Sequence, residues 1–201
     1  MALFRTGRER RLWLAVAAAV VALLAALYPM QFALDALRSR NLLRFTISVL
    51  FILCAAAVAG ALVRRRAPLL AWLLVALVGA IYAAIALAMA VPQERLHLVE
   101  YGALALLIRT AIAESAAVRQ LGNRVSNVGV WALGLATAVG WLDEAVQGVL
   151  PNRMYDLRDV AFNALAAALA LCAAAALRGA MGRSMGGAKG ETARSRERAA
   201  R

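Results

Sequence analysis

One stretch of the chain gathers most of the residues that could do chemistry. Residues 141–163 read WLDEAVQGVLPNRMYDLRDVAFN, in a chain that is otherwise mostly Ala, Leu and Val. The polar residues of this stretch that could form a site are Asp143, Glu144, Gln147, Arg153, Asp156, Asp159 and Asn163. An upstream segment adds His97, Glu100 and Tyr101. Ionisable groups are costly at the edge of an apolar span, so their presence there suggests a function.

These residue types suit two kinds of chemistry. Carboxylates and an imidazole at close range transfer protons, or they hold a divalent cation through oxygen and nitrogen ligands. Asp143, Glu144 and His97 are therefore the candidate catalytic residues if the protein is an enzyme. Arg153 carries the forked guanidinium that binds phosphate or carboxylate groups.

Spacing alone does not decide between binding and turnover. The sequence has no metal-binding motif of fixed spacing, and no serine or cysteine nucleophile lies in the polar stretch. It therefore assigns no metal ligands and no cofactor, and it specifies no oligomeric state. If there is no turnover, the polar residues other than the three catalytic candidates are ligand-binding candidates: Glu100, Tyr101, Gln147, Arg153, Asp156, Asp159 and Asn163.

Some of these residues also have simpler structural explanations. Asp156 precedes an apolar run and Asp159 follows three positions later, which is close to the pattern of a helix N-cap with an acidic third residue. His97 could lie at the membrane interface without a task, and Arg153 could hold Glu144 or Asp156 as a charge partner. Asp143 and Glu144 are harder to explain in this way, because adjacent residues on a helix point about 100° apart.

The composition indicates an all-α integral membrane protein. Hydrophobic residues make up 64% of the 201 residues, and the mean hydropathy is +0.72. Charged residues fall mostly between the apolar runs, as in a bundle of transmembrane helices. The net charge of +12 could indicate nucleic-acid binding. The basic residues instead flank the apolar runs or lie in the C-terminal tail, where contact with lipid headgroups explains them better.

Six apolar runs are long enough to cross a bilayer. They cover about residues 12–30, 42–63, 69–91, 96–113, 128–149 and 157–177. The first follows an arginine-rich segment and is longer than the apolar part of a signal peptide, so we expect an uncleaved span. The fourth is the shortest, and a re-entrant hairpin is its alternative. Residues 178–201 are rich in Gly, Ser and Arg and are predicted to form a disordered basic cytoplasmic tail.

The basic residues also predict an orientation. With the N-terminus inside, 16 of the 23 basic residues lie in cytoplasmic segments and 6 on the opposite side. Basic residues favour the cytoplasmic side of a membrane. Both termini are therefore predicted to be cytoplasmic, and the polar residues are predicted to face the extracytoplasmic side.

Helical spacing then brings the polar residues to one level. Residues three or four apart share a helix face, as do His97, Glu100 and Tyr101 on the fourth span. At a rise of 1.5 Å per residue, Asp143, Glu144 and Asn163 lie about 9 Å inside their outer span ends, and Glu100 about 6 Å inside its own. Short turns make these three spans antiparallel neighbours in part. The sequence predicts one polar pocket, open outward.

Two segments of the chain resemble the VanZ family of bacterial integral membrane proteins. In that family a His-x-x-x-Tyr helix precedes a DE-x-x-Q segment, an Arg, and a D-x-x-x-N helix start. The matching segments here are ERLHLVEYGALALL, at residues 94–107, and residues 141–163. The matching positions are His97, Tyr101, Asp143, Glu144, Gln147, Arg153, Asp156, Asp159 and Asn163.

The resemblance covers about residues 70–177 and divides the chain into three parts. Residues 1–68 would be two N-terminal membrane helices outside the match, residues 69–177 a VanZ-like four-helix membrane domain, and residues 178–201 the tail. The chain departs from the family in having Glu94-Arg95 where relatives often have Asp-Lys. It also has Ala166 where they tend to have Gly, which bears on close helix packing.

The resemblance implies a protein of the bacterial cytoplasmic membrane that acts on the cell envelope. The family is named after a member linked to low-level teicoplanin resistance. By similarity, the outward pocket would bind or modify an anionic or lipid-linked envelope intermediate, or a glycopeptide. Two alternatives remain open: an enzyme acting on lipid-linked phosphates, and a proton- or ion-coupled transporter. The lipid bilayer is the predicted partner, and no nucleic acid is.

Overall fold

The computed structural model describes the backbone of residues 4–89, 94–118, 127–150 and 155–199, and the side chains of these residues except 118 and 182–199. Within these ranges the chain forms six helices and no strand. They are α1 (Gly7–Ser39), α2 (Leu43–Arg64), α3 (Leu69–Ala88), α4 (Arg95–Val118), α5 (Val128–Gln147) and α6 (Leu157–Ala199). The expectation of an all-helical protein is confirmed.

Five of these helices are long and apolar enough to cross a membrane, namely α1, α2, α3, α4 and α6. The exception is α5, which ends in the polar segment containing Asp143, Glu144 and Gln147. Large apolar side chains such as Phe45, Ile52 and Leu69 point outward and are 65–73% exposed. A soluble protein rarely exposes so much apolar surface, whereas lipid tails cover it in a bilayer. The chain is a multi-pass membrane protein.

Two helices run further than the apolar runs predicted. The first, α1, has 33 residues, passes through Pro29 and includes the polar segment predicted to follow it. Membrane helices tolerate an internal proline because neighbouring groups satisfy the freed carbonyl. At about 1.5 Å per residue α1 is about 50 Å long, so it extends beyond a hydrocarbon core of about 30 Å.

The last helix, α6, continues to Ala199 through the residues for which a disordered tail was predicted. The chain has no proline after Pro151. Proline is the residue that most strongly ends a helix, so the backbone has no forced stop there. The fourth run was predicted to be a span, with a re-entrant hairpin as the alternative, and α4 is one continuous helix of 24 residues, as the span requires.

Sharp turns separate the first three helices. Asn41 and Arg66 follow the ends of α1 and α2 in the left-handed region, with φ of 56° and 47°. The amide of Leu42 donates to the carbonyl of Leu37, and the amide of Ala67 donates to the carbonyl of Leu62. Both are the bonds of a Schellman cap, which satisfies the free carbonyls at a helix end.

The centre of the bundle is formed by α4, α5 and α6, which all pack against one another. Against this core α1 packs on α4, and α3 packs on α6. The buried interior consists largely of small and aliphatic side chains, such as Ala105, Ile108, Ala136 and Ala166. Small residues let membrane helices approach closely, which replaces the missing hydrophobic driving force between them.

The contacts between α1 and α4 show that these two helices are antiparallel. Near the start of α1, Arg8 lies 3.4 Å from Glu114, and the indole N–H of Trp13 donates to Ser115 Oγ at 2.9 Å. Near the end of α1, Leu34 and His97 line the same cavity, and Leu96, close to the start of α4, packs against the buried cluster that contains Leu34. His97 and Glu114 are 17 residues apart, or about 25 Å along a helix. The N-terminal end of α1 and the polar residues therefore lie at opposite ends of the bundle.

Candidate functional site

The structure brings most of the predicted site residues into one group. We call this group the polar cluster. It consists of His97 and Tyr101 from α4, Asp143, Glu144 and Gln147 from α5, and Asn163 from α6. All are buried except His97, whose side chain is 13% exposed. Three helices therefore converge on it, as the sequence predicted.

The adjacent carboxylates of Asp143 and Glu144 point to different neighbours. Asp143 faces α4, where Tyr101 Oη donates to Asp143 Oδ2 at 2.9 Å. Glu144 faces the start of α6, where the amide of Asp156 donates to Glu144 Oε2 over a longer 3.3 Å. Because α5 packs against both α4 and α6, both directions lead into the protein. Two carboxylates that point about 100° apart can thus both be buried.

Glu144 is also held from its own helix. Gln147 Nε2 donates to Glu144 Oε1 at 3.0 Å, one helical turn further on. The Asp156 amide that reaches the other oxygen precedes α6, where the helix dipole is positive. Both carboxylate oxygens of Glu144 therefore accept a hydrogen bond, which lowers the cost of burying a charge there.

His97 lies between two carboxylates. Its Nδ1 is 3.6 Å from Glu100 Oε2 and 3.9 Å from Asp143 Oδ2. The ring of His97 also lies 6.0 Å from the ring of Tyr101, in a tilted arrangement. Glu100 is 41% exposed, so it lies at the rim of the polar cluster rather than inside it.

Glycines allow the helices to approach closely at this level. A Cβ on Gly140 would lie 3.1 Å from Asn163 Cβ and 3.3 Å from Tyr101 Cε1. A Cβ on Gly102 would lie 3.0 Å from Tyr82 Oη and 3.5 Å from the Cβ of Ala170. The close packing against α6 at this level is therefore provided by glycines of the facing helices α4 and α5.

A cavity of about 70 Å³ adjoins the polar cluster. One wall is apolar and comes from α1, with Leu23, Leu27 and Leu34 among its residues. The other wall comes from α4 and α5 and includes His97, Glu100, Asp143 and Gln147, together with Glu94 just before α4. The cavity is too small for a whole lipid, because pockets for drug-sized molecules measure about 300–1,000 Å³. It has room for an ion with water molecules, or for one polar headgroup.

Three predicted site residues are not part of the polar cluster that the structure describes. Asp156 is exposed, and its Oδ1 accepts a hydrogen bond from the amide of Arg158 at 2.8 Å. This is the N-cap of α6, so the capping interpretation is confirmed for its side chain. Asp159 lies in the first turn of α6 and is partly buried. Arg153 lies outside the residues that the structure describes.

Acidic groups also gather around Glu94. Burial raises the pKa of Glu94, and the nearby charges of Asp159 and Asp156 raise it further, whereas Arg158 lowers it. The next residue, Arg95, donates from Nη2 to the carbonyl of Met89 at 3.1 Å. Apart from His97, the ionisable side chains among the described lining residues of the cavity are the carboxylates of Glu94, Glu100 and Asp143.

One subset of the polar cluster has the donor atoms of a metal site. His97, Asp143 and Glu144 each offer one atom, and these atoms lie within 4.8 Å of one another. Two carboxylates and one imidazole are ligands that first-row divalent metals accept. The sequence assigned no metal ligands because His97 is separated by more than 40 residues from the two carboxylates, with no motif linking them.

Sequence reasoning missed two contributors to the site. Gly140 lies one turn before Asp143 and Glu144, and a search for small residues on that face would have found it. The apolar wall from α1 lies outside the family resemblance, and nothing in the sequence of α1 marks it. The first helix was predicted only as a span, yet it closes one side of the cavity.

Comparison with known proteins adds no match: no family model, no curated protein and no solved structure matches this chain. The resemblance to the VanZ family therefore rests on the spacing of the residues themselves.

Proposed function

We propose that the protein is a VanZ-like membrane protein of the bacterial cell envelope that binds the polar headgroup of a lipid-linked envelope intermediate. The observation that supports this proposal best is the cavity beside the polar cluster. It joins an apolar wall from α1 to an acidic and imidazole-containing wall from α4 and α5. An amphipathic ligand matches such a pair of walls, with its tail along α1 and its headgroup at His97 and Asp143.

Size and charge narrow the ligand further. At about 70 Å³ the cavity accepts only the headgroup, so the tail would lie against the outward apolar surface of α1 in the bilayer. The cavity wall is acidic, so an anionic headgroup needs a positive partner there. Arg153, for which the sequence predicts phosphate binding, is one source of this charge, and a bound cation is another.

We further propose the orientation and location that the sequence predicts. Six spans with both termini in the cytoplasm place the polar cluster on the extracytoplasmic side of the cytoplasmic membrane. The position of the polar cluster, at the end of the bundle opposite to the basic N-terminus, supports this orientation. Labelling of single introduced cysteines in intact cells at positions 41 and 66 tests it, because these two turns should lie on opposite sides.

The binding proposal is tested with a cavity-filling variant and a matched control. Leu27→Trp fills the cavity from α1, whereas Leu53→Trp makes the same change on a side chain of α2 that is 61% exposed. Native mass spectrometry of the purified proteins with a polyprenyl phosphate should show binding lost in Leu27→Trp and kept in Leu53→Trp. Equal binding to both variants, or equal binding of the uncharged polyprenol, would contradict the proposal.

An enzyme acting on lipid-linked phosphates is the second candidate. The observation that favours it is the buried group of His97, Asp143 and Glu144, whose donor atoms lie within 4.8 Å of one another. Glu144 would act as general base, and His97 as acid or metal ligand. Mass spectrometry of envelope lipids in a deletion strain tests this. A lipid that accumulates and is cleared by wild type but not by Glu144→Gln indicates turnover.

Ion-coupled transport is not proposed. It requires polar residues along the same helices beyond the polar cluster. The buried residues of the other half of α5 and α6 are instead apolar, namely Ala132, Ala136, Ala166, Ala167 and Leu171.

A link to teicoplanin resistance rests on the family resemblance, and it predicts that deletion lowers the inhibitory concentration of teicoplanin and that the wild-type gene restores it.

A further inference from the structure

We propose that His97, Asp143 and Glu144 form a binding site for a divalent first-row transition-metal ion such as Zn²⁺ or Mn²⁺. This goes beyond headgroup binding, because the ion would bind whether or not a lipid is present. The inference rests on the geometry of the three side chains, on the groups that hold them, and on the cavity beside them.

The distances allow one ion to reach all three side chains. Their donor atoms lie within 4.8 Å of one another. In a tetrahedral zinc site, with bonds of about 2.0–2.2 Å, ligand atoms are about 3.4 Å apart. Small side-chain rotations therefore suffice to close the site, and the helices do not need to move. All three side chains project from helices, which hold a site more rigidly than loops do.

Each of the two carboxylates is oriented by a second group. Tyr101 donates to Asp143 at 2.9 Å, and Gln147 donates to Glu144 at 3.0 Å. Carboxylates that bind metals are typically held by such outer hydrogen bonds, which fix their orientation. His97 Nδ1 lies 3.6 Å from the Glu100 carboxylate, so a second acidic group lies next to the imidazole.

Electrostatics favours a cation at the same place. Asp143 is fully buried and Glu144 is 1% exposed, and they are adjacent in the chain. Two neighbouring carboxylate charges are costly to bury, and a divalent ion neutralises both at once. A carboxylate oxygen has two lone pairs, so an oxygen that accepts one hydrogen bond can also bind a metal.

The ligand set also indicates the kind of ion and what it would do. One imidazole and two carboxylates suit Zn²⁺ and Mn²⁺ better than ions that prefer thiolates. Three protein ligands leave a coordination position for water or substrate. His97 and Asp143 line the cavity of about 70 Å³, so this position would face the space where we place the headgroup. An ion there would attract phosphate into an otherwise acidic cavity.

The experiment uses the full chain in detergent, purified without a polyhistidine tag and treated with a chelator. Zn²⁺ is then added in the absence of lipid and followed by calorimetry. His97 is the only histidine of the chain, so selective ¹⁵N labelling of histidine gives the signals of a single ring. We expect one equivalent of Zn²⁺ and a large shift of one ring nitrogen at that equivalent. No binding at millimolar Zn²⁺, or binding that leaves the ring signals unchanged, overturns the proposal.

Variants identify the carboxylate ligands. Asp143→Asn and Glu144→Gln should each weaken Zn²⁺ binding at least about 10-fold, since even outer partners of a metal site have effects of that size. The controls make the same changes elsewhere. Asp35→Asn changes an exposed side chain of α1, and Glu114→Gln changes a side chain at the far end of α4. Equal affinity in a folded ligand variant and its control overturns the assignment of that ligand.

The metal proposal and the binding proposal fail separately. Zn²⁺ binding is measured without lipid, and polyprenyl phosphate binding is measured with and without chelator. Zn²⁺ binding without lipid binding keeps the metal site and removes the binding proposal. Lipid binding that survives the chelator, in a protein that does not bind Zn²⁺, keeps the binding proposal and removes the metal site.

Discussion

Replacing Gly140 by alanine tests how closely the helices must approach at the polar cluster. The new Cβ would lie 3.1 Å from Asn163 Cβ, and 3.3 Å from both Asn163 Nδ2 and Tyr101 Cε1. Both neighbours are fully buried, so neither can move aside without disturbing its own packing. Gly134→Ala is the matched control, because a Cβ on that glycine of α5 meets nothing within 4 Å.

Two opposing terms set the size of the effect. Alanine favours a helix over glycine by about 0.5–1 kcal/mol. Forcing an extra methyl group into a packed interior costs about 1–3 kcal/mol. The control has only the first term, so comparing the two variants isolates the second. Gly140→Ala should therefore be less stable than Gly134→Ala by about 1–3 kcal/mol.

The assay is unfolding of the purified proteins by SDS in mixed micelles, followed by tryptophan fluorescence. The free energies of unfolding of the two variants are compared at the same detergent composition. If Gly140→Ala proves as stable as Gly134→Ala, the close contact of α5 with α4 and α6 is not present in the protein, and the geometry of the polar cluster would have to be revised.

Three further predictions use the same assay or a change of pH. Tyr101→Phe removes the buried hydrogen bond to Asp143 and should lower the free energy of unfolding by about 1–3 kcal/mol; an unchanged value would mean that this bond contributes nothing. Trp13→Phe removes the hydrogen bond from the indole to Ser115. Because this bond is only partly buried, its loss should lower the free energy of unfolding by about 0.5–1.5 kcal/mol. The pKa of Glu94 is raised in the folded protein, mainly by burial. The folded state therefore holds this proton more tightly, so stability should decrease as the pH rises through the acidic range to the raised pKa, and Glu94→Gln should remove that decrease.

The sequence alone determined the class of the protein and most of the polar cluster. Apolar runs of about 20 residues leave little choice but membrane helices, since backbone polar groups must be satisfied internally in lipid. Five of the six predicted spans begin within one residue of the observed helices, because Pro68 and the polar segments between spans mark their ends. The rise per residue of a helix likewise predicted that the polar residues of three spans lie at one level of the membrane, namely His97, Tyr101, Asp143, Glu144, Gln147 and Asn163.

Where helices end depends on signals that hydrophobicity does not contain. The sequence did not predict that α1 continues beyond Met30 to Ser39, nor that α6 continues to Ala199. Hydropathy reports where lipid can cover a helix, whereas the backbone stays helical until a capping turn ends it. Asp156 shows the same limit, because its pattern fitted both a site residue and an N-cap, and only the bond from the Arg158 amide decided between them.

Only the tertiary structure decided which helices form the walls of the site. The packing of α1 against α4 makes Leu27 and His97 line one cavity, a relation between residues 70 positions apart that no local pattern contains. The packing of α5 against α4 and α6 turns Asp143 and Glu144 toward different helices, and it brings His97 near both carboxylates. Sequence periodicity fixes which face of one helix is polar. The partner of that face depends on how the whole bundle packs, which is a property of all the helices at once.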